Sequence, residues 1–322
     1  MQPKKIKWII AHLPEYLFIR TANAFKQELE AKLPGQFEVE ILRANEYVDK
    51  YNKHESLRSL MDLSADSKPA YKDFFHAIEQ ADIEMGQFQV DQIAMNYNDQ
   101  FNVFNMPFMF NNHDHVDSVV EGPIGKELND SLESQGLKGL AYTYSGGFRV
   151  FGSHKPIDQL ADIKKVATSR VVLGETLKTA LGAEITEQAS YLSTKENLPN
   201  DETPVVEATY LRFNDKVKNI YKTNHSMFIT DIVISKKFWN TLTVEQQQAI
   251  SEAAQSAGRT ERRWSVDDAD QFEVDAEQKG ITIKSITPEE ETLFRKNAQR
   301  MYVKYHWMFK DNLISRIKKL SK

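Results

Sequence analysis

The run Gly146-Gly147-Phe148-Arg149-Val150-Phe151 sets one arginine among apolar neighbours. A guanidinium held in a partly apolar cleft binds a carboxylate through two parallel N–H···O bonds, a strong and directional contact. The competing reading of Arg149 is a salt bridge between two lobes with no ligand involved. Arg170, in Val166-Ala167-Thr168-Ser169-Arg170, is a second cation, whose ordinary place is on an exposed surface. Glu207 can face a ligand ammonium or serve as a structural hydrogen-bonding group. Tyr16, Phe88, Tyr97, Tyr210 and Phe213 are candidate pocket walls, alongside Tyr142, Phe148, Tyr191 and Phe228, although any single aromatic is more often core.

Other chemistry finds less support. His113-Asp114-His115 has metal-ligand residue types, but it lies in a polar turn at a helix start, and no metal is expected there. His12 follows the first strand, where it either touches a ligand or is a satisfied loop histidine. Asp91 and Glu84 read as turn and helix-surface residues rather than a general acid and base. The chain has no cysteine, which removes thiolate sites and disulfides together. Gly146-Gly147 is not a phosphate or dinucleotide fingerprint, and no serine sits in a GxSxG elbow. No cofactor and no catalysis are therefore expected.

The net charge of −5, with both signs interleaved, offers no basic face for nucleic acid. No run of about 18 apolar residues exists, so the protein is not expected to insert in a membrane. The start, MQPKKIKWIIAH, lacks the pattern of a signal peptide, which fits a cytoplasmic protein or a mature terminus carrying an added Met.

At 322 residues, two lobes are the default. Ile6, Trp8 and Ile10 alternate as a strand, then Ala22, Phe25, Leu29 and Leu33 mark one helix face, and Phe37, Val39 and Ile41 form a second strand. Strand, helix, strand at this length is a parallel βαβ unit. Residues 43–70 give no clear pattern, and a helix follows near Tyr71–Ala81. Asp91–Met95 reads as a third strand with Asn96 and Tyr97 at its C-terminal end, where open α/β sheets collect ligands. Asp114 is a candidate cap for a short helix, and Pro123 opens another that Gly136 closes. Leu137–Tyr144 reads as a strand, Gly146-Gly147 as a turn and Phe148–Phe151 as the next strand. Met227–Ser235 is a second β-rich crossing, and a long helix is expected from Thr243 to about Gln278. These elements describe two α/β lobes joined by crossing strands and bridged by one long helix.

The segments NVFNMPFMFNNHDHVDSVVEGPIGKEL, GLKGLAYTYSGGFRVF, ETLKTALGAE and NHSMFITDIVISKKFWNTLTVEQQQAISEAA, in this order and spacing, carry a family likeness over essentially the whole chain. The chain resembles the DctP-type solute-binding proteins of tripartite ATP-independent periplasmic (TRAP) transporters. The resemblance implies an α/β clamp similar to type II periplasmic binding proteins. Its lobe I would comprise 1–146 plus about 236–276, and its lobe II 147–235 plus about 277–322, with hinge closure over a ligand between them. It further implies a periplasmic protein, not an enzyme, that captures a small organic acid and delivers it to TRAP membrane permease subunits.

In that family the ligand carboxylate is usually held by an arginine whose position here is Ala167. Arg149 matches a second family arginine, and Arg170 is a reserve cation in a shifted register. The family pattern further downstream keeps its glutamate at Glu207 but places Ala208 where an asparagine is usual. Three rival readings follow: a variant with altered or lost ligand binding, a sensor input domain using the same clamp, and a hydrolase or lyase.

Overall fold

The computed structural model describes residues 2–12, 15–62, 68–168, 171–186, 200–204 and 217–321. They divide into two compact units. The first comprises Met1–Asn98, Val119–Thr143 and Ile229–Arg263; the second comprises Asp99–Ser118, Tyr144–Phe228 and Trp264–Lys322. Asp99–Ser118, expected in the first lobe, thus belongs to the second unit. The reason lies in the core, where Phe108 meets Phe294 edge-on at 5.0 Å and joins the cluster of Phe151, Val166 and Leu177.

The first unit begins with strand β1 (Lys4–Ile10), the helix Glu15–Lys32 and strand β2 (Phe37–Arg43). β1 and β2 pair in parallel from Lys4↔Phe37 to Ile10↔Arg43, which is the expected βαβ unit. The alternation that marks β1 puts Ile6, Trp8 and Ile10 in the core, with Trp8 packed against Phe25 of the helix at 5.1 Å. The patternless segment folds as the helix Ala44–Tyr51 and a 3-10 helix, Glu55–Met61.

The third strand is β3 (Met85–Gln89), one element earlier than expected, and Asp91–Met95 lies inside the helix Val90–Asn96. Its buried Val90, Ile93 and Ala94 recur at the three- and four-residue spacing of one helix face. A run this short does not separate strand from helix by periodicity alone. β3 pairs in parallel with β1 on one side and antiparallel with β9 (Met227–Ser235) on the other.

β4 (Leu137–Ser153) follows β9 in the strand order. It is one continuous strand of 17 residues rather than two strands about a turn. Gly146 and Gly147 take φ of +85° and +81° within it, a conformation that costs glycine little and other residues more. β4 contributes residues to both units, as does the helix Val244–Gln278 of 35 residues. That helix starts where expected. Thr243 Oγ1 accepts from Gln246 N at 3.2 Å, and Gln246 Oε1 accepts from Thr243 N at 3.2 Å.

In the second unit, β4 pairs antiparallel with β7 (Asn200–Pro204) and with β8 (Asn219–Lys222). β7 pairs in parallel with β5 (Lys165–Ala167), β5 with β6 (Glu184–Thr186), and β8 with β10 (Thr282–Ser285). The helix His113–Val120 is capped by Asn112, whose Oδ1 accepts from His115 N at 2.9 Å; Asp114 lies in its first turn instead. The helices Val171–Leu181 and Pro288–Tyr305 contribute Leu177 and Phe294 to the core.

Candidate functional site

Arg149 stands on β4 two residues beyond the glycine pair and is 1% exposed. Its backbone N–H donates to the Ser226 carbonyl at 2.9 Å, just before β9 starts. Its guanidinium carbon lies 5.5 Å from the centre of the Phe228 ring, a cation–π distance. The segment that presents Ser226 and Phe228 is itself held. His225 stacks on Phe151 at 5.2 Å, its Nδ1 meets Thr223 Oγ1 at 2.7 Å, and its carbonyl accepts from Phe108 N at 2.8 Å. A cation in so little water interacts with an anionic group far more strongly than a surface arginine does.

Ala167 closes β5 between two neighbours, paired with Thr186 of β6 and Asp201 of β7. It is buried, so the position where the resemblance implies an arginine carries a methyl group inside the sheet. Thr168, directly after it, donates its N–H to the Thr186 carbonyl at 3.0 Å. Arg170, Tyr191, Glu207, Tyr210 and Phe213 lie outside the described residues.

Asn96, Tyr97, Phe88 and Tyr16 belong to the first unit. Asn96 sits at the end of a helix, not of a strand; it is exposed, and its side chain donates to the Gln92 carbonyl at 2.8 Å. Tyr97 meets Phe75 edge-on at 4.9 Å and donates its hydroxyl to Glu79. Burial first, then the Glu79 carboxylate, push its phenol above the ordinary range. Phe88 has no exposed surface, with Phe74 at 4.7 Å and Phe75 stacked at 4.3 Å, so its environment is that of a core residue. Tyr16 is half-buried in the first turn of the helix Glu15–Lys32.

The three histidines singled out in the sequence each meet a neighbouring group. His12 Nδ1 meets the Tyr71 hydroxyl at 2.8 Å. His115 Nε2 meets the Ile317 carbonyl at 2.9 Å, and His113 packs against Tyr144 and Phe148, each at 5.3 Å. Among the described residues, no group of three or more His, Asp or Glu is placed to hold a metal ion.

A buried polar cluster in the first unit was not foreseen. Gln87 donates to Thr143 Oγ1 and Thr230 Oγ1, both at 2.9 Å, and the two hydroxyls meet at 2.6 Å. Beside it in sequence, Asp231 is fully buried, and burial holds its carboxyl well above the usual range, opposed by Asn129 and by backbone N–H groups. The signal was present in Met227–Ser235, where Thr230-Asp231 interrupts an otherwise apolar strand.

A model of the bacterial extracellular solute-binding protein family 7, DctP, matches residues 13–307. The chain belongs to this family. Among curated relatives, the 2,3-diketo-L-gulonate-binding periplasmic protein YiaO of Escherichia coli is 28% identical over 189 residues, covering 56% of this chain and 57% of the relative. The C4-dicarboxylate-binding periplasmic protein DctP of Rhodobacter capsulatus is 26% identical over 165 residues, covering 48% and 47%. These two matches span about half the length of each relative. Among solved structures, a TRAP periplasmic solute-binding protein of Shewanella oneidensis with bound succinate superposes with a TM-score of 0.81 at 19% identity, covering 99% of this chain and all of that one. One from Xanthobacter autotrophicus with bound β-D-galacturonate gives 0.79 at 20% identity, covering 98% and 99%.

The fold of this solute-binding protein is thus the α/β fold of the TRAP periplasmic proteins. No helix among its described residues is long and apolar enough to cross a membrane.

Proposed function

We propose that this solute-binding protein captures a small organic acid in the periplasm, takes the ligand carboxylate on Arg149, and delivers the ligand to a TRAP membrane permease. The observation that carries the reading is Arg149 itself: a buried guanidinium on β4 beside the Phe228 ring, in a chain of the DctP family. The relatives support the class of ligand, since their names and bound molecules are a keto sugar acid, C4-dicarboxylates, succinate and a uronate. The protein acts by binding and release and catalyses no reaction; its partners are the acid and the permease subunits.

Ala167 favours a specific second reading, a change in ligand class. A ligand carboxylate buried without its usual charged partner loses roughly 2–5 kcal/mol, or about 30- to several-thousand-fold in affinity. An acid bound here therefore relies on Arg149 and on hydrogen-bond donors, which suits a monocarboxylate with a polar or aromatic body better than a symmetric dicarboxylate.

A thermal-shift screen over C4-dicarboxylates, sugar acids, aromatic acids and zwitterions tests both readings, because a ligand that binds only the folded state raises Tm by mass action. A saturable rise with an acid supports capture, and the acid that gives it decides between a dicarboxylate and another class. A flat response to every acid, together with no small molecule released on denaturing the purified protein, would remove the capture reading.

A further inference from the structure

The second unit holds a cavity of about 400 Å³ whose lining lies wholly within that unit and includes neither Arg149 nor Ala167. Two of its walls are cationic. Arg295, on the helix Pro288–Tyr305, lays its guanidinium carbon 4.2 Å from the centre of the Phe108 ring and uses Nε to bond Glu291 at 2.7 Å. Lys318, the last residue of the helix Leu313–Lys318, holds Nζ 3.9 Å from the centre of the Tyr302 ring.

The balance of charge around the cavity is uneven. Glu291 is the carboxylate paired with Arg295, and no carboxylate is among the lining residues. Among the described residues, none lies within 4 Å of Lys318 Nζ. Lys318 is solvent-exposed, and its ammonium lies over the Tyr302 ring, where partial desolvation lowers its pKa from the ordinary lysine value. Tyr302 cannot supply the missing charge. Its hydroxyl donates to the Pro107 carbonyl at 2.7 Å, and burial pushes its phenol further from ionisation.

The rest of the lining sets the shape of an occupant. Phe108 and Met109 give an apolar wall, and Gln299 adds an amide beside the cations. A cavity whose described lining carries two cations, one of them paired with Glu291, and an apolar wall suits an anion with one charged end and an apolar body. We propose that this cavity is a second ligand site, separate from Arg149, that binds an aromatic or aliphatic monocarboxylate with its carboxylate on Lys318 and Arg295. The proposal stands on this cavity alone and does not depend on the ligand of the Arg149 site.

Lys318 provides a local readout. Benzoate is the probe, benzamide its uncharged counterpart, and the extent of reductive methylation of Lys318 is measured by peptide mass spectrometry on the full chain. Benzoate is expected to protect Lys318 saturably, benzamide not at all, and protection is expected to persist in the Arg149→Ala variant. Substituting Arg295→Gln weakens that protection roughly tenfold, the loss of one charge-assisted contact. Circular dichroism of each variant establishes that it is folded, and where Arg149→Ala is not, Arg149→Lys takes its place. Three results overturn the proposal: protection of Lys318 no greater than that of the other lysines, equal protection by benzamide, or protection that disappears with Arg149 while the fold remains.

Discussion

Arg149 and Ala167 lie on opposite faces of the second unit's sheet. Both strands pair with β7, Arg149 opposite Pro204 and Ala167 opposite Asp201, and an offset of three residues reverses the side of the pleat. The core agrees: Phe151, on the face of Arg149, and Val166, next to Ala167 and on the other side from it, share one hydrophobic cluster. The two positions are also a strand and several residues apart, on the order of 10 Å or more at strand spacings. Arg149 therefore cannot stand where an arginine at 167 would stand.

Placing an arginine at 167 tests what that position does. The variant Ala167→Arg is expected to bind organic acids more tightly than the natural chain, seen as a larger ligand-dependent rise in Tm. Because the two positions are separate, the gain should persist in part when Arg149 is also replaced. No gain for any acid, in a variant that folds, would mean that position 167 does not contribute to binding a carboxylate.

The buried Asp231 makes stability depend on pH with a defined sign. Its folded pKa is raised by burial, so the folded state keeps a proton that the unfolded chain releases near the ordinary carboxylate range. Its contribution is fully present below the unfolded pKa and is lost as pH rises toward the folded one. Replacing it, Asp231→Asn, is expected to flatten the fall of Tm with rising pH above about 4 and to stabilise the protein at neutral pH by on the order of 1–3 kcal/mol. Glu84, also raised by burial although bonded to Lys7, leaves a residual slope of the same sign. Tm measured from acidic to neutral pH in both proteins checks this; parallel curves would contradict it.

Gly139, on β4 opposite that region, has no room for a side chain. A Cβ there would collide with Asn129, the residue whose amide opposes the raised pKa of Asp231. Gly139→Ala is expected to cost about 1–3 kcal/mol through overpacking, read from chemical denaturation. The loss should be smaller in Asn129→Ala, which clears the space, and equal losses in both backgrounds would show that the collision is relieved elsewhere.

Much of this architecture is legible in the residues, because a period of two or of 3.6 shows wherever one face is buried. Ile6, Trp8 and Ile10 announced β1, and Thr243 marked the start of the long helix. Asp91–Met95 misled because five residues do not separate the two periods, and the burial of Val90, Ile93 and Ala94 resolves it only in three dimensions. Gly146-Gly147 misled for another reason. A glycine pair with positive φ commonly turns a hairpin, but here β4 runs on and takes up β7 and β8 as partners, a long-range choice with no local signal. Of the site, Arg149 could be singled out from its apolar flanks. Its support by Ser226 and Phe228 could not, since they lie more than seventy residues away.

The central claim is that Arg149 holds the carboxylate of a captured acid, and calorimetric titration of the natural chain and of Arg149→Ala with the acid that gives the largest thermal shift tests it most directly. The account predicts saturable binding by the natural chain and a loss of about 30-fold or more in Arg149→Ala, with Arg149→Lys between them and all three proteins folded. Equal affinity in the natural chain and in a folded Arg149→Ala would contradict it and return Arg149 to a structural role.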